Sequence, residues 1–128
     1  GCPIEDMVSQ MATVLPHDPV TGLVTQNAII PPGIYTVSRA LKIANNASVC
    51  TSGPVELYVE QGQTLKINSG ALYGQPAGST SCSANYSPEN LRYFVSGTGS
   101  GSMHVDNGAT NVLVAGGLLY SQFRIRHE

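Results

Sequence analysis

The chain has 128 residues, which is the length of one ordinary domain. Charged residues make up 11% of it, against roughly 25% in an average soluble domain, and this composition is typical of β structure exposed outside the cell. The formal net charge is −2 with thinly spread basic residues, and no apolar run approaches the roughly 20 residues of a membrane span, so nucleic-acid binding and membrane insertion are excluded.

Residues 3 to 15 carry the pattern of a short amphipathic helix. Pro3 stands at a suitable first helical position, the first turn is acidic as the helix dipole favours, and Pro16 ends the pattern. The apolar positions at helical spacing are Ile4, Met7, Val8, Met11, Val14 and Leu15. Residues 17 to 27 are rich in turn formers. The sequence therefore predicts an N-terminal helix and extended arm over 1–30 and a separate β domain over 31–128.

From residue 29 the chain contains three copies of one imperfect sequence repeat. Each copy has an apolar run, a link containing Ser or Gly, a second apolar-x-apolar unit and a turn containing Asn. The first runs are 34–37, 57–59 and 93–95, and the second units are Leu41–Ile43, Leu65–Ile67 and Met103–Val105. Asn and Gly tolerate the left-handed backbone of tight corners. The repeat predicts an all-β fold of stacked coils, in which stacking supplies the core.

A β-sandwich is the alternative, because it also consists of short strands joined by turns. The Gly-containing links at 61–63 and 96–102 have the composition of hairpin turns. Repetition of the same two-strand phrase favours the coil.

Four phrases carry a resemblance to a known kind of domain: "PPGIY", "TSGPVELYV", "PENLRYFVSGTG" and "AGGLLYS". Over residues 31 to about 121 the chain resembles the β-helix-type domain at the C-terminal side of many bacterial surface proteins, including ones with pilin-like N-termini. The resemblance implies a short-strand, right-handed β-solenoid and a secreted or cell-surface location. It supplies no catalytic residues.

The cysteines at 50 and 82 are predicted to lie in small-residue loops that would tolerate a bridge, "ASVCTSG" and "STSCSAN". We predict a Cys50–Cys82 disulfide, which suits an oxidising compartment. The alternative is two free thiols, with Cys50 as a small apolar core residue. Asn46 and Asn85 each begin an Asn-x-Ser sequence, which matters only if the source glycosylates.

The sequence offers no convincing catalytic group. Ser102, His104 and Asp106 share one face of a predicted strand, but side chains two apart lie roughly 6.6 to 7 Å from each other, too far for the hydrogen bonds of a triad. Glu56 and Glu60 resemble a glycosidase pair only in spacing, and such a pair must flank one bond in a cleft. We predict no enzyme activity, cofactor or metal.

Two functions remain open. The first is a structural subunit of a bacterial surface appendage or filament, which associates with copies of itself through its N-terminal segment and its sheet edges. The predicted contact residues are Ile4, Met7, Val8, Met11, Phe123 and Ile125. The second is an adhesin or carbohydrate-binding module, with surface glycans as partners and the long loop at 74–88 as the presenting element.

Overall fold

A computed structural model describes residues 8–44, 46–60, 63–67, 71–95, 103–105 and 118–121. These residues form short strands with two 3-10 turns, η1 (Met11–Thr13) and η2 (Pro88–Asn90). The strands are β1 (Val8–Gln10), β2 (Leu23–Val24), β3 (Ala28–Ile30), β4 (Gly33–Val37), β5 (Leu41–Ile43), β6 (Ser48–Thr51), β7 (Val55–Val59), β8 (Leu65–Ile67), β9 (Ala71–Tyr73), β10 (Leu91–Val95), β11 (Met103–Val105) and β12 (Leu118–Ser121). The prediction of an all-β fold is confirmed.

The strands form three sheets, and every pairing among them is parallel. A five-stranded sheet has the order β1-β4-β7-β10-β12, a four-stranded sheet β11-β8-β5-β2, and a three-stranded sheet β3-β6-β9. From β1 to β11 the chain visits the three sheets in turn, so each strand pairs with the one three places further along. Neighbours in the sequence therefore never pair with each other within this range.

The register between strands confirms the predicted repeat. Tyr35 on β4 lies opposite Leu57 on β7, which lies opposite Tyr93 on β10. The second units align in the same way along β5, β8 and β11. The sandwich alternative is wrong at the link 61–63, because β7 and β8 on either side of it belong to different sheets and form no hairpin.

Alternation along each strand places one row of side chains in a common core. In β7, for example, Val55, Leu57 and Val59 are buried, whereas Glu56 and Tyr58 are half-buried on the outward face. The main core contains residues from all three sheets and from the N-terminal turn, among them Met11, Leu15, Val24, Ile30, Ile43, Val49, Leu57, Ile67, Leu72 and Tyr93. Residues 8–30, predicted as part of an N-terminal arm, supply the first strand of every sheet.

The predicted N-terminal helix is wrong from Val8 onward, and residues 3–7 of that prediction lie outside the described residues. Residues 8–10 form β1, which pairs with β4, and only the three residues of η1 turn helically before Pro16. Met11 and Leu15 both face the core, as their spacing predicted, but a short turn places them there and not a helix. A helix of about three turns has little stability of its own, so pairing with a sheet overrides it.

The three-stranded sheet was not predicted. Cys50 was assigned to a loop, yet it lies in β6 between the buried Val49 and Thr51. The strands of this sheet are only three or four residues long and carry apolar residues on both faces, so they lack the alternation of apolar and polar residues that marks the other strands. One predicted corner is confirmed, because Asn46 has a positive φ of 61° immediately before β6.

Candidate functional site

The N-terminal end of the core is closed by the chain itself. Met11 and Leu15 are fully buried against the first strands. The Val14 amide donates a hydrogen bond to the Met11 carbonyl at 3.1 Å, and the Thr13 hydroxyl donates to the Gln10 carbonyl at 2.7 Å. Thr13 therefore satisfies an acceptor at the end of β1, and the apolar core is not open at this end.

A turn at residues 18–22 leads into β2, the edge strand of the four-stranded sheet. The Asp18 carboxylate accepts hydrogen bonds from the amides of Thr21 at 2.9 Å and Val20 at 2.8 Å, and these bonds lower the pKa of Asp18. The Asp18 amide donates to the Leu23 carbonyl on β2 at 2.9 Å. Gly22 has a φ of +75°, and a Cβ there would lie 2.2 Å from the Ala40 carbonyl oxygen, so this turn requires glycine.

The residues predicted for self-association have separate positions. Val8 is half-buried on β1, which pairs only with β4 among the described strands. Met11 belongs to the chain's own core, so it could contact another copy only if the N-terminal turn opened. Four of the six predicted positions lie outside the described residues: Ile4, Met7, Phe123 and Ile125.

The predicted disulfide is confirmed: Cys50 and Cys82 are bonded, with their Cα atoms 5.6 Å apart. Cys50 belongs to the outward row of the three-stranded sheet, where the register places it beside Ile29 and Tyr73. These side chains form a small apolar cluster with Ala71 and Cys82. The long loop that follows β9 thus folds back over this sheet face and is held there covalently.

Gln75 anchors the start of the same loop, although nothing in the sequence analysis identified it. Its side chain is fully buried. The amide nitrogen donates to the carbonyls of Ser81 at 2.9 Å and Thr51 at 3.3 Å, and its oxygen accepts from the Ser83 amide at 2.8 Å. The Gln75 carbonyl also accepts a hydrogen bond from the Asn90 side chain at 2.9 Å. The loop is therefore joined to η2, the turn that leads into β10.

The outward face of the five-stranded sheet has a different character. Arg92 on β10 lies opposite Glu56 on β7, and Phe94 lies opposite Tyr58. The Tyr58 and Phe94 rings stack with centroids 4.6 Å apart and planes 11° apart. The Tyr58 hydroxyl donates to Glu56 Oε1 at 3.1 Å. Tyr58 therefore lies on the outward face, whereas Tyr35 and Tyr93 are buried in the core.

A cleft lies where β7 and β10 begin on this outward face. Its volume is about 210 Å³, and its walls are Pro54, Val55, Glu56, Glu89, Asn90 and Arg92. Glu56 was considered only with Glu60, which is exposed beyond the end of β7. The pairing of Glu56 with Arg92 was not predicted. Alignment of the second repeat copy with the third would have placed these two residues at equivalent positions.

The other sequence candidates do not form a site in the described chain. His104 lies on β11, whereas Ser102 and Asp106 are outside the described residues. His17 Nδ1 lies 2.7 Å from the Leu15 carbonyl and borders an open cleft of about 350 Å³ with Asp18, Leu23 and Thr25. Within the described ranges, no three metal-binding side chains cluster, and no helix has the length and hydropathy to cross a bilayer.

Comparisons with family models, with curated proteins and with solved structures found no match to this chain. The resemblance to bacterial surface domains therefore stays a prediction from the sequence.

Proposed function

We propose that the chain is a non-enzymatic structural module of an extracellular surface assembly, built as a three-faced, right-handed β-solenoid. The pairing of each strand with the third strand after it supports this, because a chain that winds in one direction around a common core pairs in this way. The right-handed sense follows from the general preference of parallel crossover connections. The Cys50–Cys82 bridge suits a secreted or surface-displayed protein.

The proposed role is assembly with copies of itself along the solenoid axis. The observation that carries it is the open side of the five-stranded sheet: β1 has a described partner on one side only, while the core beneath it is closed by Met11 and Leu15. A contact at this end would therefore use the strand edge and not an exposed core. Strand addition from a neighbouring copy, for example by the segment that follows β12, gives a head-to-tail contact that repeats without closing.

The segment before β1 is the part to test. A longer deletion, for example of residues 1–27, would also remove β1 and β2 and so disturb the core. We would compare the intact chain with a variant that lacks residues 1–7 and with one that lacks residues 122–128, which should also fail to assemble because it has lost the strand proposed to add to the β1 edge. Light scattering and electron microscopy at high protein concentration measure assembly, and formation of the disulfide checks folding. We expect filaments or large species for the intact chain and their loss in the N-terminal variant.

Two results would contradict the proposal. One is an intact chain that stays strictly monomeric at high concentration. The other is unchanged assembly after both deletions, which would show that neither terminal segment takes part.

A further inference from the structure

The cleft on the five-stranded sheet combines hydrogen-bond acceptors with a donor. Glu56 and Glu89 contribute carboxylates, Asn90 an amide and Arg92 a guanidinium. Glu89 and Arg92 are exposed, and within the described part of the chain their side chains make no hydrogen bond or ion pair. Glu89 and Arg92 can therefore bind a ligand without first breaking a contact in the described part of the chain.

The framework of the cleft is rigid. Glu56 and Arg92 stand on adjacent, paired strands, and Tyr58 holds one oxygen of the Glu56 carboxylate. The side-chain amide nitrogen of Asn90 donates to the Gln75 carbonyl, and this bond leaves the side-chain oxygen of Asn90 for other partners. Behind it, Gly74 lies so close to the η2 backbone that a Cβ would be 2.4 Å from the Ser87 carbonyl oxygen. Glu56 and Asn90, which are held in this way, lose little side-chain entropy when a ligand binds.

The charges in the cleft select the class of ligand. An anion is disfavoured, because the cleft has two carboxylates and only one guanidinium. A divalent cation is also disfavoured, because it prefers six or more oxygen ligands and would lie beside the positive charge of Arg92. A polyhydroxylated molecule satisfies both kinds of group, because each hydroxyl donates to a carboxylate or amide oxygen and accepts from Arg92.

The aromatic pair adds an apolar border beside the polar groups. Tyr58 and Phe94 follow Glu56 and Arg92 by two residues on the same strands, so they lie roughly 7 Å further along the same face. The two rings are stacked and both side chains are half-buried, so the pair keeps part of its apolar surface accessible beside the polar groups. A volume of about 210 Å³ is below the roughly 300 to 1,000 Å³ of enclosed ligand pockets, so it fits one ring-sized unit.

We propose that Glu56, Glu89, Asn90 and Arg92 bind one unit of a neutral polysaccharide that lies across the five-stranded sheet beside Tyr58 and Phe94. The site is independent of the strand edge proposed for assembly, since it lies on an outward face. A filament would repeat it and so increase the avidity of a weak single site.

Affinity electrophoresis tests the proposal on the full chain. Native gels would contain a soluble β-glucan, a mannan or a dextran as neutral probes, or chondroitin sulfate as an anionic probe. We expect retardation by at least one neutral polysaccharide. Arg92→Ala and Glu56→Gln should each weaken it about tenfold, the factor that loss of one charge-assisted hydrogen bond of about 1.4 kcal/mol produces.

The matched control is Lys42→Ala, which removes a charge from β5 on the outward face of a different sheet and should leave the retardation unchanged. Tyr58→Phe keeps the ring but removes the hydroxyl that holds Glu56, and it should weaken binding by less than Arg92→Ala. Near-ultraviolet circular dichroism checks that each variant is folded.

The proposal is wrong if none of the neutral polysaccharides retards the intact chain. It is also wrong if the intact chain and Arg92→Ala are retarded equally. Retardation by chondroitin sulfate alone also overturns it, because the ligand would then be anionic. Light scattering of the same samples measures assembly separately, so a failure of binding can be distinguished from a failure of assembly.

Discussion

The outward faces of the three-stranded and five-stranded sheets follow the same rule of alternation but differ in what covers them. On the three-stranded sheet the outward row is apolar, with Ile29, Cys50 and Tyr73, and a disulfide-bonded loop lies over it. On the five-stranded sheet the outward row contains Glu56 and Arg92, and they border a cleft. In this comparison the apolar row is covered by other parts of the chain, whereas the row with charged residues remains accessible to solvent.

The two faces are nevertheless connected. The loop that covers the apolar face begins at Gly74 and Gln75, and it returns to the chain at η2, whose Asn90 is bonded to Gln75. The structure that closes one face thus positions residues at the rim of the other. Three predictions use this contrast, and they are ordered by the size of the expected effect.

Removing the disulfide should have the largest effect. Replacing both Cys50 and Cys82 with alanine frees a loop of about 33 residues, which should lower the free energy of unfolding by about 3 to 4 kcal/mol in the chain-entropy model. Denaturant unfolding of the double variant and the intact chain measures this. Cys2→Ala is the control for loss of a cysteine outside the bridge. Equal unfolding midpoints for the double variant and the intact chain would show that the bridge does not stabilise the covering loop.

The inner face of the five-stranded sheet should make the protein sensitive to alkali. Burial raises the pKa of Tyr93 far above its ordinary value of 10.0, so the folded state keeps a proton that the unfolded state loses. The stabilisation is complete below about pH 10 and is lost as the pH rises above it, by about 1.4 kcal/mol per pH unit.

Tyr93→Phe should reduce this pH dependence, because the ring stays in the core and only a long 3.5 Å hydrogen bond to the Leu72 carbonyl is lost. A smaller slope should remain, since burial also raises the pKa of Tyr35 and Tyr73. Free energies of unfolding between about pH 9 and pH 11 measure the slope. Tyr58→Phe on the outward face is the control and should change the slope much less. The assignment to Tyr93 is wrong if its variant loses stability with pH as steeply as the intact chain.

Substitutions on the open face should have the smallest effect on stability. Arg92→Ala alters an exposed side chain, and Glu56→Gln keeps an oxygen that can accept from the Tyr58 hydroxyl, so each should change the free energy of unfolding by no more than about 0.5 kcal/mol. Thermal unfolding of both variants beside the intact chain tests this. A loss above about 2 kcal/mol would mean that these side chains support the fold, and the contrast between the two faces would fail.

Much of this fold was readable from apolar alternation. The repeat copies aligned Leu41–Ile43 with Leu65–Ile67 and Met103–Val105, and the register between β5, β8 and β11 is the same. The Cys50–Cys82 pairing was also predicted correctly. The helix over 3–15 failed at Val8 because local spacing cannot reveal that β4 offers a pairing edge. The third sheet was missed because its short strands are apolar on both faces and so do not show the alternation.

The candidate site shows the same division. Glu56 was noticed in the sequence, but its neighbour Arg92 lies 36 positions later, beyond the long loop. No local pattern marks Gln75 as a buried anchor, since its burial depends on groups supplied by Thr51, Ser81 and Ser83.

The sequence by itself determined which side chains face inward along each repeated strand, because alternation with a period of two is a property of the extended backbone. It also determined where the corners bend, since Asn46 and Gly22 adopt backbone conformations that other residues resist. Only the tertiary structure decided which outward row is covered and which is open. That outcome depends on contacts between residues far apart in the chain, and their free energy exists only once the strands are stacked in register.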